Sequence, residues 1–276
     1  MNAAFEVLQR AREEGRGVGA FNVVLLEHAE AFVAAAEAAR LPVVLQISQN
    51  CVAYHGALEP ILAATQALAR GCDVAAVVHL DHADDLDLVR TAVAAGVDSV
   101  MYDGSRLPYA DNVASTHEVA TLCHAHGVLV EAELGEVGGK DGVHAPGART
   151  DPTEAEAFVR ATGVDALAVA VGTSHAMTDR VATVDTGLIA ALADALPVPL
   201  VLHGSSGLSD KELQGAVRAG MTKINISTHL NSVFTSDLRA ALLAAPALVD
   251  PRRYVGPGRD ALTAETRRLL HLLADA

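Results

Sequence analysis

A chain of 276 residues, 51% of them apolar, can bury a large core in one α/β barrel or in two smaller domains. Its formal net charge of −14 argues against a nucleic-acid surface, because neutralising phosphates takes clustered Lys and Arg that this chain lacks. The three cysteines, Cys51, Cys72 and Cys123, show no close pairing, so a reducing compartment is expected rather than a secreted disulfide framework. The amino terminus, "MNAAFEVLQRAREEGRGVG", carries charge throughout and reads as an amphipathic helix, not a signal peptide. No stretch is apolar enough for a membrane span, so the expectation is a cytoplasmic enzyme that binds neither nucleic acid nor membrane.

After that first helix, β-like runs alternate with Ala-rich segments of helical spacing. "VGAFN" ends at Asn22 and precedes a helical pattern over 27–40; "VVLQIS" ends at Ser48 and precedes one over 57–70. "VAAVVHLDH" ends at His82 before 84–95, and "SVMYDG" ends near Asp103 before 112–126. Then come "VLVEAELG" ending near Glu133, "ALAVAVGTSH" leading to His175, "PLVLHG" ending at His203 and Gly204, and "TKINIS" ending near Asn225 and Ser227. Eight such units without a long linker predict a (β/α)8 barrel over residues 1–276 as a single domain, with an extra amino-terminal helix. Pro and Gly in "APALVDPRRYVGPGRDA" are expected to interrupt the chain before a charged helix from about 261 to 276.

A strand covered on both faces should stay apolar until it leaves the barrel, so charge marks its carboxyl end. In "VVHLDHADD", residues 77–85, that charge is unusually dense. Collected, the predicted strand ends present Asn22, Ser48, Asp81, His82, Asp103, Glu133, His175, His203 and Asn225 at one rim, where barrel chemistry collects. Three imidazoles, His82, His175 and His203, suit zinc with an open coordination position. Asp81 can exchange a proton with a substrate hydroxyl or support an imidazole. Asp103 and Glu133 can hold a second metal position or orient His82. Asn22 and Ser48 are candidate substrate contacts. His79 can face the barrel or the mouth, and His144 sits in a loop. His28, His55, His117, His124, His126, His229 and His271 fall on helices or helix starts and read as surface residues. "LHGSSGLSDKEL" puts Gly204 and Ser206 between a strand and a helix start, either a phosphate cradle or a plain turn, and Ser227 and Thr228 can join it.

These residues resemble the class II, zinc-dependent ketose-bisphosphate aldolases of the fructose or tagatose type. The carriers are "GAFNV", "HLDHADD", "SVMYDGS", "VEAELGEVGG", "DALAVAVGTSH", "PLVLHGSSGL" and "TKINIST", in that order over nearly the whole chain. The resemblance implies an aldehyde-lyase that makes or breaks the bond between dihydroxyacetone phosphate and an aldehyde through a zinc-stabilised enediolate. His82, His175 and His203 would hold Zn2+, with Asp103 and Glu133 matching an alternative, inward metal position. Asp81 would pass a proton to and from the aldehyde-derived oxygen, and Asn225 would contact the triose. Gly204, Ser206, Thr228 and the backbone around Ala176 would hold its phosphate, beside a monovalent cation, Na+ or K+. A homodimer or homotetramer in carbohydrate metabolism is implied.

The match departs in three places. The mobile loop after "GG" reads "GGKDGVHAPGART", so Asp141 stands where relatives carry the glutamate that removes the triose proton, and the loop is about four residues shorter. "NISTHL" has His229 where relatives often carry an acid, and "SQNCVAYHG" departs from the glycine-containing versions after Ser48. The same chemistry on another phosphorylated sugar or sugar acid, or a non-catalytic zinc-binding relative, are the competing readings. Arg252, Arg253 and Arg259 can reach a second phosphate or simply be solvated tail charges.

Overall fold

A computed structural model describes residues 3–134, 149–174 and 179–276. The amino-terminal helix α1 (Ala3–Glu14) precedes β1 (Val18–Asn22), α2 (Leu26–Ala39), β2 (Val43–Ser48), α3 (Gln49–His55), α4 (Glu59–Gly71) and β3 (Ala76–Ala83). Next come α5 (Leu86–Ala94), β4 (Ser99–Tyr102), α6 (Tyr109–His124), β5 (Leu129–Leu134), α7 (Pro152–Thr162), β6 (Ala166–Val169), α8 (Thr186–Ala195) and β7 (Leu200–Leu202). A 3-10 turn at Ser205–Gly207, α9 (Asp210–Arg218), β8 (Met221–Ile226), α10 (Thr228–Ala244) and α11 (Pro251–Ala274) complete the described chain. All eight strands pair in parallel, each with its sequence neighbour, and β1 pairs with β8 to close the barrel. Side-chain caps start the helices where short polar residues were available: Asp85, Asp151, Asp185, Ser209 and Asp250 each accept a backbone N–H of the first turn.

Alternation along the strands sorts side chains between the helix layer and the barrel interior. The outward residues, such as Leu45, Leu80, Val130, Leu167 and Ile224, form the main core with the helices. The inward residues change character with height. At the base Val18, Ala20, Val44 and Val77 meet Ala4, Leu8 and Ala11 of α1, which plugs the barrel. One layer up the interior turns polar, with Gln46, His79, Ser99, Glu131 and Lys223 all buried. His79 therefore faces the barrel interior, its Nδ1 2.7 Å from Ser99 Oγ.

A bulge places two consecutive site residues on one side. Strict alternation would send Asp81 and His82 to opposite faces, but the β3–β4 register shifts between Leu80 and Ala83, and His82 takes a left-handed φ of 49°. That conformation is uncommon for a residue with a Cβ and marks a locally strained turn of the strand.

Two expectations need correction. The sixth strand ends at Val169, short of His175, because both backbone groups of Ala170 are taken by Thr150: its N–H donates to Thr150 Oγ1 and its carbonyl accepts from Thr150 N–H. The last helix starts at Pro251, about ten residues earlier than expected; Asp250 caps it, Pro251 fits its first turn, and it runs through Pro257. Gly258 lets it press on α10, since a Cβ there would lie 2.8 Å from the Phe234 carbonyl. The segment after Ser48 is also helical, with Ser48 Oγ accepting from the Cys51 N–H at 3.1 Å.

Candidate active site

The polar interior opens upward into a cluster at the carboxyl ends of the strands. His203, just past β7, is fully buried, and its two ring nitrogens meet two carboxylates of β5: Nδ1 lies 3.0 Å from Glu133 Oε2 and Nε2 lies 3.1 Å from Glu131 Oε1. His82 approaches from β3, with its ring centroid 4.7 Å from that of His203. Its Nδ1 stands 2.8 Å from Asp103 Oδ2, and Asp103 also accepts from the Ser105 hydroxyl at 2.6 Å. The contact to His82 is thus made by Asp103, whereas Glu133 turns to His203.

Asp81, beside His82 in sequence, is buried and accepts from Asn22 Nδ2 at 2.9 Å; Gln46 in turn donates to Asn22 Oδ1 at 3.3 Å. The second Asp81 oxygen, like Asn225 Oδ1, is buried without a hydrogen-bond partner among the described residues. Burial alone would raise the Asp81 carboxyl, but the electrostatic influence of His82, Lys223 and His79 around it holds it below its ordinary value. Asp81 is therefore an ionised carboxylate with one oxygen free to accept a proton. His203 balances the other way: burial would push it down, yet its bonds to Glu131 and Glu133 raise it to about 9 in the absence of a metal.

His82, Glu133 and His203 each offer a ligand atom, all within 4.8 Å of one another. Their donor chemistry, imidazole with carboxylate, suits a divalent transition ion. Charge balance points the same way. Among the described residues the buried carboxylates are Asp81, Glu131 and Glu133, against Lys223 and the protonated ring of His203. Once His203 gives up its extra proton, as a ligand must, two negative charges are left uncompensated in a dry interior, and a divalent cation matches them.

On the β7–β8 side, Gly204 adopts φ 67°, and a Cβ there would lie 2.6 Å from the Ser174 carbonyl, so only glycine fits. The turn that follows is tied to β8 twice: the Ser205 hydroxyl donates to the Asn225 carbonyl, and the Ser227 N–H donates to Ser206 Oγ at 3.3 Å. Ser206 and Ser227 thereby meet, with Thr228 opening α10 next to them. Ser48 lies opposite Asp81 on the neighbouring strand, its hydroxyl accepting from the Cys51 N–H at the start of α3. Asp141, His175, Ala176 and His144 lie outside the described residues.

Sequence reading missed Glu131, Lys223 and Gln46. The signal was present as spacing by two: Glu131 with Glu133, Lys223 with Asn225, His79 with Asp81 and Gln46 with Ser48 share a strand face, so the site extends one layer below the rim. One histidine reading is overturned, because His28 is buried with its ring 4.9 Å from that of Phe234, and burial lowers its pKa. His229 pairs with Glu265 at 2.6 Å, and Arg252 and Arg259 with Asp250 and Glu30 at 2.9 and 3.0 Å.

The sequence pattern described as class-II fructose-bisphosphate aldolase matches residues 2–276. The chain belongs to the class II fructose-bisphosphate aldolase family. Its reaction class is therefore that of an aldolase, a carbon–carbon lyase, in a family that is generally metal-dependent. The YdjI aldolase from Escherichia coli K12 superimposes with a TM-score of 0.87 at 27% identity, covering 99% of this chain and 97% of that one. A Coccidioides immitis protein, provisionally a fructose-1,6-biphosphate aldolase, gives 0.89 at 28% identity over 99% and 96%. The fructose-bisphosphate aldolase of Campylobacter jejuni gives 0.82 over 97% and 93%, and at 20% identity it supports the fold alone. No helix among the described residues is long and apolar enough to cross a membrane.

Proposed function

We propose that this aldolase uses zinc to cleave, reversibly, a ketose 1,6-bisphosphate of the fructose or tagatose type into dihydroxyacetone phosphate and an aldehyde. In this reading the chain acts as a single barrel domain in the cytoplasm, as a homodimer or homotetramer. The supporting observation is the convergence of His82, Glu133 and His203 above a barrel layer whose buried charge, with His203 neutral as a ligand, lacks two positive units. His82 and His203 would hold the ion, with His175 added from the sequence pattern. Bound there, zinc would supply the Lewis acidity that makes the hydrogen beside a chelated ketone acidic without a Schiff-base lysine.

The chain's own groups do the rest. Asp103 fixes the ring of His82. Asp81, ionised and anchored on one oxygen by Asn22, exchanges the proton of the aldehyde-derived hydroxyl. Asn225 offers its free carbonyl oxygen to the triose, and the Gly204–Ser206 turn with the start of α10 receives the phosphate through backbone amides and hydroxyls. Asp141 is assigned the carbon-bound proton by sequence position. A second reading keeps this chemistry but takes a different phosphorylated sugar or sugar acid; helix α3, with Tyr54 exposed directly after the Ser48 rim, favours it.

Both readings meet in a coupled triose-phosphate release assay with fructose and tagatose bisphosphates, on zinc-loaded and chelator-treated protein, with His203→Ala as control. Cleavage that disappears with chelator and with the substitution supports the first reading. Zinc binding without cleavage of either sugar shifts the case to another acceptor.

A further inference from the structure

An imidazole that faces a metal with one nitrogen must use the other as an N–H donor, and the acceptor of that N–H fixes the tautomer. His203 has a carboxylate at each nitrogen, at nearly equal distances, so its ring alone does not choose. The two carboxylates differ in what lies behind them. Glu133 belongs to the cluster of potential ligand atoms with His82. Glu131, one step lower on β5, has its other oxygen 2.8 Å from Lys223 Nζ of β8.

Lys223 is 1% exposed and is the single buried Lys or Arg among the described residues. It approaches Glu131 at ion-pair distance but off the direction of a hydrogen bond, since its Nζ lacks a partner of good geometry among the described residues. A buried pair of this kind is poor value for stability, because an apolar pair of similar volume usually does as well or better. Its placement beneath a ligand-bearing histidine supplies the missing reason.

We propose that Lys223 and Glu131 act as one positioning unit: Lys223 pins Glu131 as the fixed acceptor for His203 Nε2–H, so that Nδ1 is the nitrogen presented toward His82 and Glu133. Without the ammonium, Glu131 is free to compete for the ion, and the acceptor that orients His203 is no longer held in place. Neither residue touches substrate in this arrangement. The inference rests on the metal-dependent reading given above.

The test uses metal-free wild type, Lys223→Met, Glu131→Gln and the double variant, titrated with Co2+ against a chromophoric chelator, with visible spectra of the cobalt forms. Each single variant is expected to bind cobalt about 10–100-fold more weakly and to change the spectrum, the range typical for losing a group that supports a ligating histidine. The double variant should lose no more than the weaker single, and kcat should fall while KM holds. Wild-type affinity and spectrum in folded Lys223→Met would overturn the proposal, as would losses that simply multiply in the double variant. Should Lys223→Met fail to fold, the double variant, which removes both charges, decides: wild-type cobalt affinity there overturns the unit. A wild type that binds no cobalt sinks the functional reading with it, whereas tight wild-type binding beside unaffected variants sinks only the unit.

Discussion

Two ionic networks use the same side-chain types to opposite ends. Inside the barrel, Asp81, Glu131, Glu133, Lys223 and His203 are all buried, at most 3% exposed, and sum to excess negative charge. Outside, His229, Glu265, Arg268, Asp210 and Arg180 form a chain from α10 across α11 to α9, with contacts of 2.6 to 2.8 Å and side chains 18–43% exposed. The outer chain alternates sign and compensates itself. Water screens it, so its members can be altered singly at small cost. The inner set is unscreened and unbalanced, and the proposed ion would complete it. Burial decides whether a charge cluster is a stabilising strap or a receptacle.

The sharpest way to break that contrast is Asp81→Asn on zinc-loaded protein. Losing the proton acceptor should cut kcat by about 10²–10⁴-fold with little change in thermal stability, read in the triose-release assay. A drop of less than tenfold would remove Asp81 from proton transfer. Next in size is metal removal: a ligand at about 100 times its Kd contributes about 2.7 kcal/mol, so chelation should lower Tm by about 5–10 °C. A calorimetric scan in which chelator leaves Tm unmoved would undo the charge-balance argument.

The outer network should respond more weakly. The bonds from Arg268 and His229 outweigh burial and bring Glu265 down to about 2 from its ordinary 4.5. A depressed folded-state value means that the contribution is complete above pH 4.5 and disappears as pH falls through about 2. Glu265→Gln should therefore cost about 1 kcal/mol at neutral pH, with wild type and variant converging in acid, as urea midpoints at several pH values would reveal. A difference that grows toward acid would reverse the sign. Smallest of all, raising NaCl to about 1 M should shift the midpoint of Arg180→Ala relative to wild type by only a few tenths of a kcal/mol, while leaving metal affinity at the inner site nearly untouched.

Much of this was legible from residues. The strand ends at Asn22 and Ser48 were placed correctly, and that at His82 one residue short, by the switch from apolar to polar, because a parallel barrel tolerates charge only where a strand emerges. Asp103, His203 and Asn225 were located for the same reason. What escaped has specific causes. His82 sharing a side with Asp81 depends on a register shift between two strands that a one-dimensional pattern does not carry. β6 stops at Val169 because Thr150, some twenty residues away, takes its next backbone groups. Lys223 and Glu131 sat inside apolar runs, where attention to strand ends passed over them, and His28 was read by residue type although its neighbours Ala29, Phe32 and Phe234 bury it. The α11 start was misjudged because Pro251 and Gly258 read as breakers, whereas one fits a helix start and the other a close helix crossing.

The plug that α1 drives into the barrel floor has a consequence for traffic. With Ala4 and Leu8 seated against Val18, Ala20, Val44 and Val77, the vessel is blind at its lower end. In the proposed reaction ion, sugar and both fragments share the upper opening, and a fragment still held there blocks the next arrival. Product inhibition competitive with substrate is then a property of the vessel's shape, set by a helix that never meets the reaction.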